Sequence, residues 1–219
     1  QRWSTLPEML LPTLLPLLNS RYVVQQTEPR PREMPLYAHS TSYRDWVQAW
    51  TLWLIRSSRP GDAASLFHIF TSVVRDHDVG IAQYLLPHLV LHILISGSSQ
   101  QRRTVLGESL AVLADQAHPA LGYEPERRRL TAQTLFHVLD HVGHWMRRMR
   151  LVPLRMARRS RWRDALSDVQ AIMDELSPDL LAQASLQCDA YARALLHFEY
   201  RIRAMRPQPP ETLQPYYET

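Results

Sequence analysis

Residues 169–199 read VQAIMDELSPDLLAQASLQCDAYARALLHFE, and this stretch decides the fold. Between residues 162 and 176, apolar residues recur every three or four positions, which is the spacing of one helix face. They are Trp162, Leu166, Val169, Met173 and Leu176. Ser177 and Pro178 then predict a new helix start, because serine caps free backbone amides and proline suits the first helical position. A second apolar face follows: Leu181, Ala184, Cys188, Tyr191, Leu195, Phe198, Ile202 and Met205. This pattern predicts an αα-hairpin, with Ser177 and Pro178 at the turn and Tyr191 and Phe198 on the packed face.

The rest of the chain shows helical spacing and no alternating strand pattern. Only 6 of its 219 residues are glycine and 16 are proline, which argues against a β-sandwich or a nucleotide-binding α/β fold. Further helices are predicted over residues 6–18 (kinked by proline), 43–54, 63–74, 81–95, 105–114 and 126–150, with loops at 25–40 and 97–103. We therefore predict an all-α fold, an irregular HEAT-like α-solenoid of helical hairpins, with a closed bundle as the alternative.

Composition excludes several function classes. All 25 basic residues are arginine. A phosphate-binding loop or a protein kinase site needs a lysine on the nucleotide phosphates, so neither is expected in this chain. The single cysteine, Cys188, excludes an internal disulfide and is predicted to be a core residue. The longest apolar run, residues 84–95, is predicted to be too short and too polar to cross a membrane. No signal peptide opens the chain, and we expect a fragment of a longer protein.

Three segments, in the family's order, resemble the ATR-type checkpoint kinases of the phosphatidylinositol-3-kinase-related family. LLPHLVL at 85–91 is similar to a late helix of the family's HEAT array, and AQTLFHVLDHVGHW at 132–145 to the long helix after it. The most specific segment, 179–199, resembles the start of the FAT region through these residues: Ala184, Ser185, Ala190, Tyr191, Arg193, His197, Phe198 and Glu199. Asp189 departs from the family, which usually has a basic residue there.

This resemblance implies a scaffold role in a serine/threonine kinase that signals DNA damage and replication stress in the nucleus; we expect a fungal member. Residues 1–160 would end the HEAT-like solenoid, and 161–219 would begin the FAT region. ATP and Mg would belong to the parent's kinase domain, with no cofactor and no catalytic residue in this segment. Implied partners are the kinase domain of the same chain, an obligate subunit of the ATR-interacting type, a second heterodimer, and DNA through that subunit, with no membrane.

Eight arginines fall within 17 residues that contain no acid: Arg147, Arg148, Arg150, Arg155, Arg158, Arg159, Arg161 and Arg163. Such a run could neutralise the phosphates of nucleic acid, but it could equally be solvated or contact an acidic protein surface. The alternative function is therefore a stand-alone helical adaptor that binds nucleic acid through these arginines.

Histidines and carboxylates complete the candidates. His137, His141 and His144 lie at positions i, i+4 and i+7 of a predicted helix, where a zinc site is possible and helix packing is favoured. Glu108 and Asp115 are among the carboxylates, but no histidine or serine pairs with them in a recognised catalytic arrangement. No metal site and no hydrolase are predicted.

Overall fold

The computed structural model describes residues 33–75, 79–118, 124–151 and 160–204. Within these ranges the chain forms ten helices and no strand, which confirms the all-α prediction. The helices are α1 (Leu36–His39), α2 (Tyr43–Ser57), α3 (Asp62–Ile69), α4 (Thr71–Arg75), α5 (Val79–Ser96), α6 (Ser99–Ala117), α7 (Pro125–Arg150), α8 (Ser160–Asp174), α9 (Pro178–Leu186) and α10 (Tyr191–Ala204). The kinked helix predicted at 6–18 and most of the loop predicted at 25–40 lie outside the described residues.

Local sequence explains where two of the long helices begin. The Ser42 hydroxyl accepts a hydrogen bond from the Asp45 amide at 3.1 Å and thereby caps α2. Ser98 and Gln101 form a full capping box at the start of α6, each side chain accepting from the other residue's amide. This box places the start of α6 at Ser99, so the predicted loop over residues 97–103 and the helix start at residue 105 are wrong.

Helix α5 is the centre of the core. It packs against α2, α4, α6, α7 and α8, and its side chains Leu86, Leu89 and Ile93 have no exposed surface. Among the described helices, α5 is the one whose 18 residues, with a mean hydropathy of 1.6, have the length and apolarity to cross a membrane. This corrects the prediction that the run is too short. Its packing on five helices is typical of the core helix of a globular protein.

Helix α2, which packs against α5, carries a cluster of buried aromatic rings. Trp46 and Trp50 are fully buried, with ring centroids 5.2 Å apart. The helix predicted over residues 63–74 is interrupted at Phe70, and Leu66 and Ile69 are largely exposed, so this segment does not form one buried helix.

The predicted single helix after Pro178 is two helices, α9 and α10, which pack against each other. The amide of Ala190 donates to the Ser185 carbonyl at 2.9 Å, and the amide of Asp189 to the Leu186 carbonyl at 3.1 Å. These two bonds form a Schellman helix end, whose left-handed residue is Asp189 with φ of 58°. Glycine is the usual residue there, and aspartate is one of the few others that tolerate it.

The predicted turn at Ser177 and Pro178 exists but does not close the hairpin. Helix α9 begins at Pro178 as predicted, yet the Ser177 side chain makes no capping hydrogen bond. Helix α8 packs against α5, α6 and α7, whereas α9 packs against α6 and α10. Because the Schellman turn breaks the helical register after Cys188, the predicted packed face does not continue: Tyr191 is 63% exposed and Phe198 is half-buried.

Candidate functional site

A fully buried carboxylate, Glu108 on α6, holds the start of α1. Its Oε2 accepts from the Leu36 amide at 2.6 Å, and its Oε1 accepts from the Tyr37 amide at 2.8 Å and from the Trp46 indole N–H at 2.7 Å. Leu36 and Tyr37 are separated from Glu108 by more than 70 residues of sequence. A helix start has free amides that need an acceptor, and here a distant side chain supplies it.

Tyr37 makes a second contact with α6 and a contact with one further helix, α7. Its hydroxyl donates to Asp115 Oδ2 at 2.5 Å on α6. The Arg127 guanidinium, on α7, lies 4.9 Å from the centre of the Tyr37 ring and donates to the Tyr37 carbonyl at 2.8 Å. We call the group formed by Leu36, Tyr37, Trp46, Glu108, Asp115 and Arg127 the Glu108 clamp.

The electrostatics of the clamp follow from its burial. Burial raises the pKa of Glu108 above its ordinary value, although the three N–H donors oppose this by stabilising the carboxylate. Burial and the hydrogen bond to Asp115 both raise the pKa of the Tyr37 hydroxyl. The three described donors to Glu108 are two backbone amides of α1 and the indole N–H of a core tryptophan. The clamp therefore positions helices.

The sequence prediction gave Glu108 and Asp115 no role, although their spacing indicates that both are buried. Both residues fall in step with Val105 and Val112 at helical spacing, on the buried face of α6. An acid in step with the apolar face of a helix is buried, and a buried acid must find donors. The identity of those donors, 70 residues away, was not predictable from this spacing.

A second set of contacts attaches the hairpin of α9 and α10 to α6 and α7. The Gln116 side-chain amide donates to the Gln187 carbonyl at 3.0 Å. Arg193 binds both carboxylate oxygens of Asp140, at 2.8 and 2.5 Å, and lies over the Phe136 ring at 4.8 Å. Cys188 is buried beside this junction, and burial raises the pKa of its thiol to about 11, as expected for a packed and unreactive cysteine.

The predicted arginine run is only partly described. Arg147 and Arg148 are exposed at the end of α7, and Arg163 is exposed on α8. The Arg150 guanidinium donates to Gln170 on α8. The remaining four members lie outside the described side chains: Arg155, Arg158, Arg159 and Arg161. Contact between this run and nucleic acid or an acidic partner stays a prediction.

The predicted histidine row lies along α7. His137 and His144 are exposed and His141 is half-buried, with its ring centroid 4.6 Å from that of His88 on α5. Burial lowers the pKa of His141, and the neighbouring histidines lower it further. In the part of the chain that the structure describes, no three His, Cys, Asp or Glu side chains are placed to hold a metal ion. The contact of His141 with His88 is one of helix packing.

Comparison with known proteins places these helices in a family. The family described as "Serine/threonine-protein kinase ATR, M-HEAT region" matches residues 30–219. Protein kinase rad3 of Schizosaccharomyces pombe is 25% identical over 93% of this chain and 9% of its own length. Serine/threonine-protein kinase ATR of Oryza sativa subsp. japonica is 26% identical over 92% and 8%, and MEC1 of Eremothecium gossypii is 22% identical over 99% and 10%. No solved structure matches the chain.

These matches confirm the predicted resemblance and the HEAT-like fold class. The chain spans about a tenth of the length of the curated relatives it matches. Both fungal and plant kinases are among them, so a fungal source stays a prediction. The family match runs to residue 219, and the described helices on both sides of residue 160 share one core. Assignment of residues 161–219 to a FAT region likewise stays a prediction.

Proposed function

Since this chain belongs to the family of ATR M-HEAT regions, we propose that it is a non-catalytic scaffold segment of a larger serine/threonine kinase. That kinase would signal DNA damage and replication stress. The observation that carries the proposal is the family match over residues 30–219, together with relatives that are about ten times longer than the chain. The absence of lysine from the sequence supports a non-catalytic role.

The contacts of the described residues suit a scaffold. The Glu108 clamp joins α1 and α2 to α6 and α7, which lie much later in the sequence, through buried hydrogen bonds. The pair of Arg193 and Asp140 fixes α10 against α7. Hydrogen bonds between segments distant in sequence favour one arrangement of the helices, which a segment that transmits position between distant domains requires.

The finer parts of the proposal concern the whole parent protein. We propose that ATP and Mg bind in its kinase domain and that this segment supports that domain. An obligate subunit of the ATR-interacting type would bring the parent to DNA in the nucleus, and two such heterodimers would pair. Residues 161–219 would begin the FAT region.

The proposal is tested on the full-length parent, purified from its source by a tag at the end of its gene. We expect a polypeptide about ten times the length of this chain, with ATP-dependent phosphorylation of serine and threonine substrates and a co-purified subunit. Glu108→Ala should reduce the yield of the subunit complex, while Glu175→Gln, at an exposed position after α8, should not. A polypeptide no longer than this chain, binding nucleic acid by itself, would establish the alternative of a stand-alone adaptor.

A further inference from the structure

Exposed arginines gather where the end of α7 meets α8. Three of them, Arg147, Arg148 and Arg150, lie in the last turn of α7. The Arg150 guanidinium donates to the Gln170 side chain on α8. Arg163 is exposed on the same side of α8, two helical turns before Gln170 and so about 10 Å from it along the helix axis. We call the group of Arg147, Arg148, Arg150 and Arg163 the arginine surface.

No carboxylate forms an ion pair with the arginine surface in the part of the chain that the structure describes. Residues 147–163 contain no acid. The described ion pairs engage five other arginines: Arg102 with Asp168, Arg129 with Asp189, Arg193 with Asp140, Arg201 with Asp179 and Arg203 with Glu199. The positive charges of the arginine surface are therefore available to an anion from outside the chain.

Stabilisation of the helices explains only part of the arginine surface. Cations are favoured at the C-terminal end of a helix, where the three arginines of α7 lie, and disfavoured at the N-terminal end. Arg163 is the fourth residue of α8, and the first turn of that helix contains no acid. Asp164 is the next residue, but neighbours at i and i+1 on a helix do not face each other. An anion bound across the ends of both helices accounts for Arg163, whereas the helix dipole does not.

A cavity of about 730 Å³ adjoins the arginine surface at Arg148. Besides Arg148 it is lined by the rings of Trp145, His141 and His144 and by apolar side chains, among them Leu91. Trp145 is half-buried and His144 is exposed. Cavities of roughly 300–1,000 Å³ hold drug-sized molecules, so this one has room for a nucleobase.

The rings decide between the possible anions. An acidic peptide would pair with the arginines but has no group that needs a planar aromatic surface. In a nucleic-acid duplex the bases are stacked on one another and do not reach a side-chain ring. The unpaired bases of a single strand stack on aromatic side chains while its phosphates bind arginine. Several unpaired guanidinium groups beside a tryptophan in a cavity therefore suit a single strand.

We propose that the arginine surface binds single-stranded nucleic acid directly. The four guanidinium groups contact phosphates, and a base stacks on Trp145 in the adjoining cavity. Phosphate contacts and stacking read no base edge, so binding is independent of base sequence. This inference goes beyond the scaffold role, which is decided by the length and activity of the parent and would stand if this binding were absent.

The test measures binding of a fluorescein-labelled oligothymidine of about 20 nucleotides to the 219-residue chain by fluorescence anisotropy, between about 50 and 200 mM salt. Arg148→Gln and Arg163→Gln remove one cation each, and Arg103→Gln is the matched control at an exposed arginine on α6. Trp145→Leu removes the aromatic ring, whereas Trp145→Phe keeps one. A duplex of the same length and a polyglutamate peptide of the same charge are the competitors. Circular dichroism verifies that each variant is folded.

Each phosphate contact of a single strand contributes about 0.7 to the slope of log K against log salt. Four contacts therefore predict a slope of about −3, which is about a 50-fold loss of affinity between 50 and 200 mM salt. Arg148→Gln and Arg163→Gln should each make the slope shallower by about 0.7, while Arg103→Gln leaves it unchanged. Trp145→Leu should weaken binding about tenfold, and Trp145→Phe should retain most of the affinity.

Several results would overturn the proposal. Absence of binding at the lowest salt excludes the site, and equal effects of Arg163→Gln and Arg103→Gln would show that the arginine surface is not the contact. Displacement of the strand by polyglutamate at equal charge would identify a surface for acidic proteins. Equal affinity for the duplex, or native affinity of Trp145→Leu, would show that no base is stacked in the cavity.

Discussion

Replacing Glu108 with alanine removes the acceptor of three buried donors at once. The amides of Leu36 and Tyr37 and the indole N–H of Trp46 lie 2.6 to 2.8 Å from its oxygens. Leaving one buried donor unpaired costs about 1–3 kcal/mol. Part of the summed cost of the three unpaired donors is offset, because the carboxylate no longer has to be buried and because water can solvate the start of α1. We therefore expect the free energy of unfolding to fall by roughly 3–5 kcal/mol, a large part of the stability of a typical domain.

Glu108→Gln keeps the size of the side chain and removes one of its two acceptor oxygens. Its single carbonyl oxygen can keep the bonds to Tyr37 and Trp46, but its NH2 group then faces the Leu36 amide. The expected loss is roughly 1–3 kcal/mol, between those of alanine and the native residue. Glu175→Gln, at an exposed site, is the control and should change stability by less than about 0.5 kcal/mol.

Urea unfolding followed by circular dichroism at 222 nm measures the global loss, and hydrogen exchange measures the local one. The amides of Leu36 and Tyr37 should lose protection in both Glu108 variants, before the amides in the middle of α5 do. The reasoning is refuted if Glu108→Ala is no more destabilising than Glu175→Gln, or if the two amides keep their native protection.

Three further outcomes follow from described contacts. Because burial raises the pKa of Glu108 above 4.5, its contribution to stability is present below that pH and is lost as the pH rises through the folded-state pKa. The stability advantage of the native chain over Glu108→Gln should therefore shrink as the pH is raised from 4.5, as measured by urea midpoints; an advantage that grows with pH contradicts this. Arg193→Ala should cost about 1–2 kcal/mol, since it removes a bidentate pair and a cation–π contact that are partly exposed. Arg203→Ala, in an exposed pair within α10, should cost less than about 0.5 kcal/mol, and equal losses would contradict the role given to Arg193. Cys188, 3% exposed and with a thiol pKa of about 11, should react with Ellman's reagent only slowly at pH 8 in the folded chain and at once in urea, whereas equal rates would show that it is not packed.

Much of the helix content was predictable because apolar periodicity is a local property. The helices α2, α5 and α7 were located to within a few residues. The start of α6 was missed although Ser98 and Gln101 carry a recognisable capping pattern. The local signal for this helix start was therefore present in the sequence.

Two features depend on information that no local pattern contains. The end of α9 is a Schellman turn with Asp189 in the left-handed region, and the apolar spacing continues through it without a break. The clamp depends on which amides reach Glu108, and those belong to a helix of four residues 70 positions earlier. The predicted site residues, namely the arginine run and the turn at Ser177 and Pro178, are not part of the Glu108 clamp.

The clamp can form only late in the synthesis of this segment. Leu36 and Tyr37 leave the ribosome before their acceptor at Glu108 exists, and Arg127, which donates to the Tyr37 carbonyl, is 90 residues later in the chain. At a synthesis rate of about 5–20 residues per second, this segment waits roughly 5–20 s with unpaired amides. The first helix described is therefore among the last to dock, and during that interval it is open to chaperones and to any other chain that offers an acceptor.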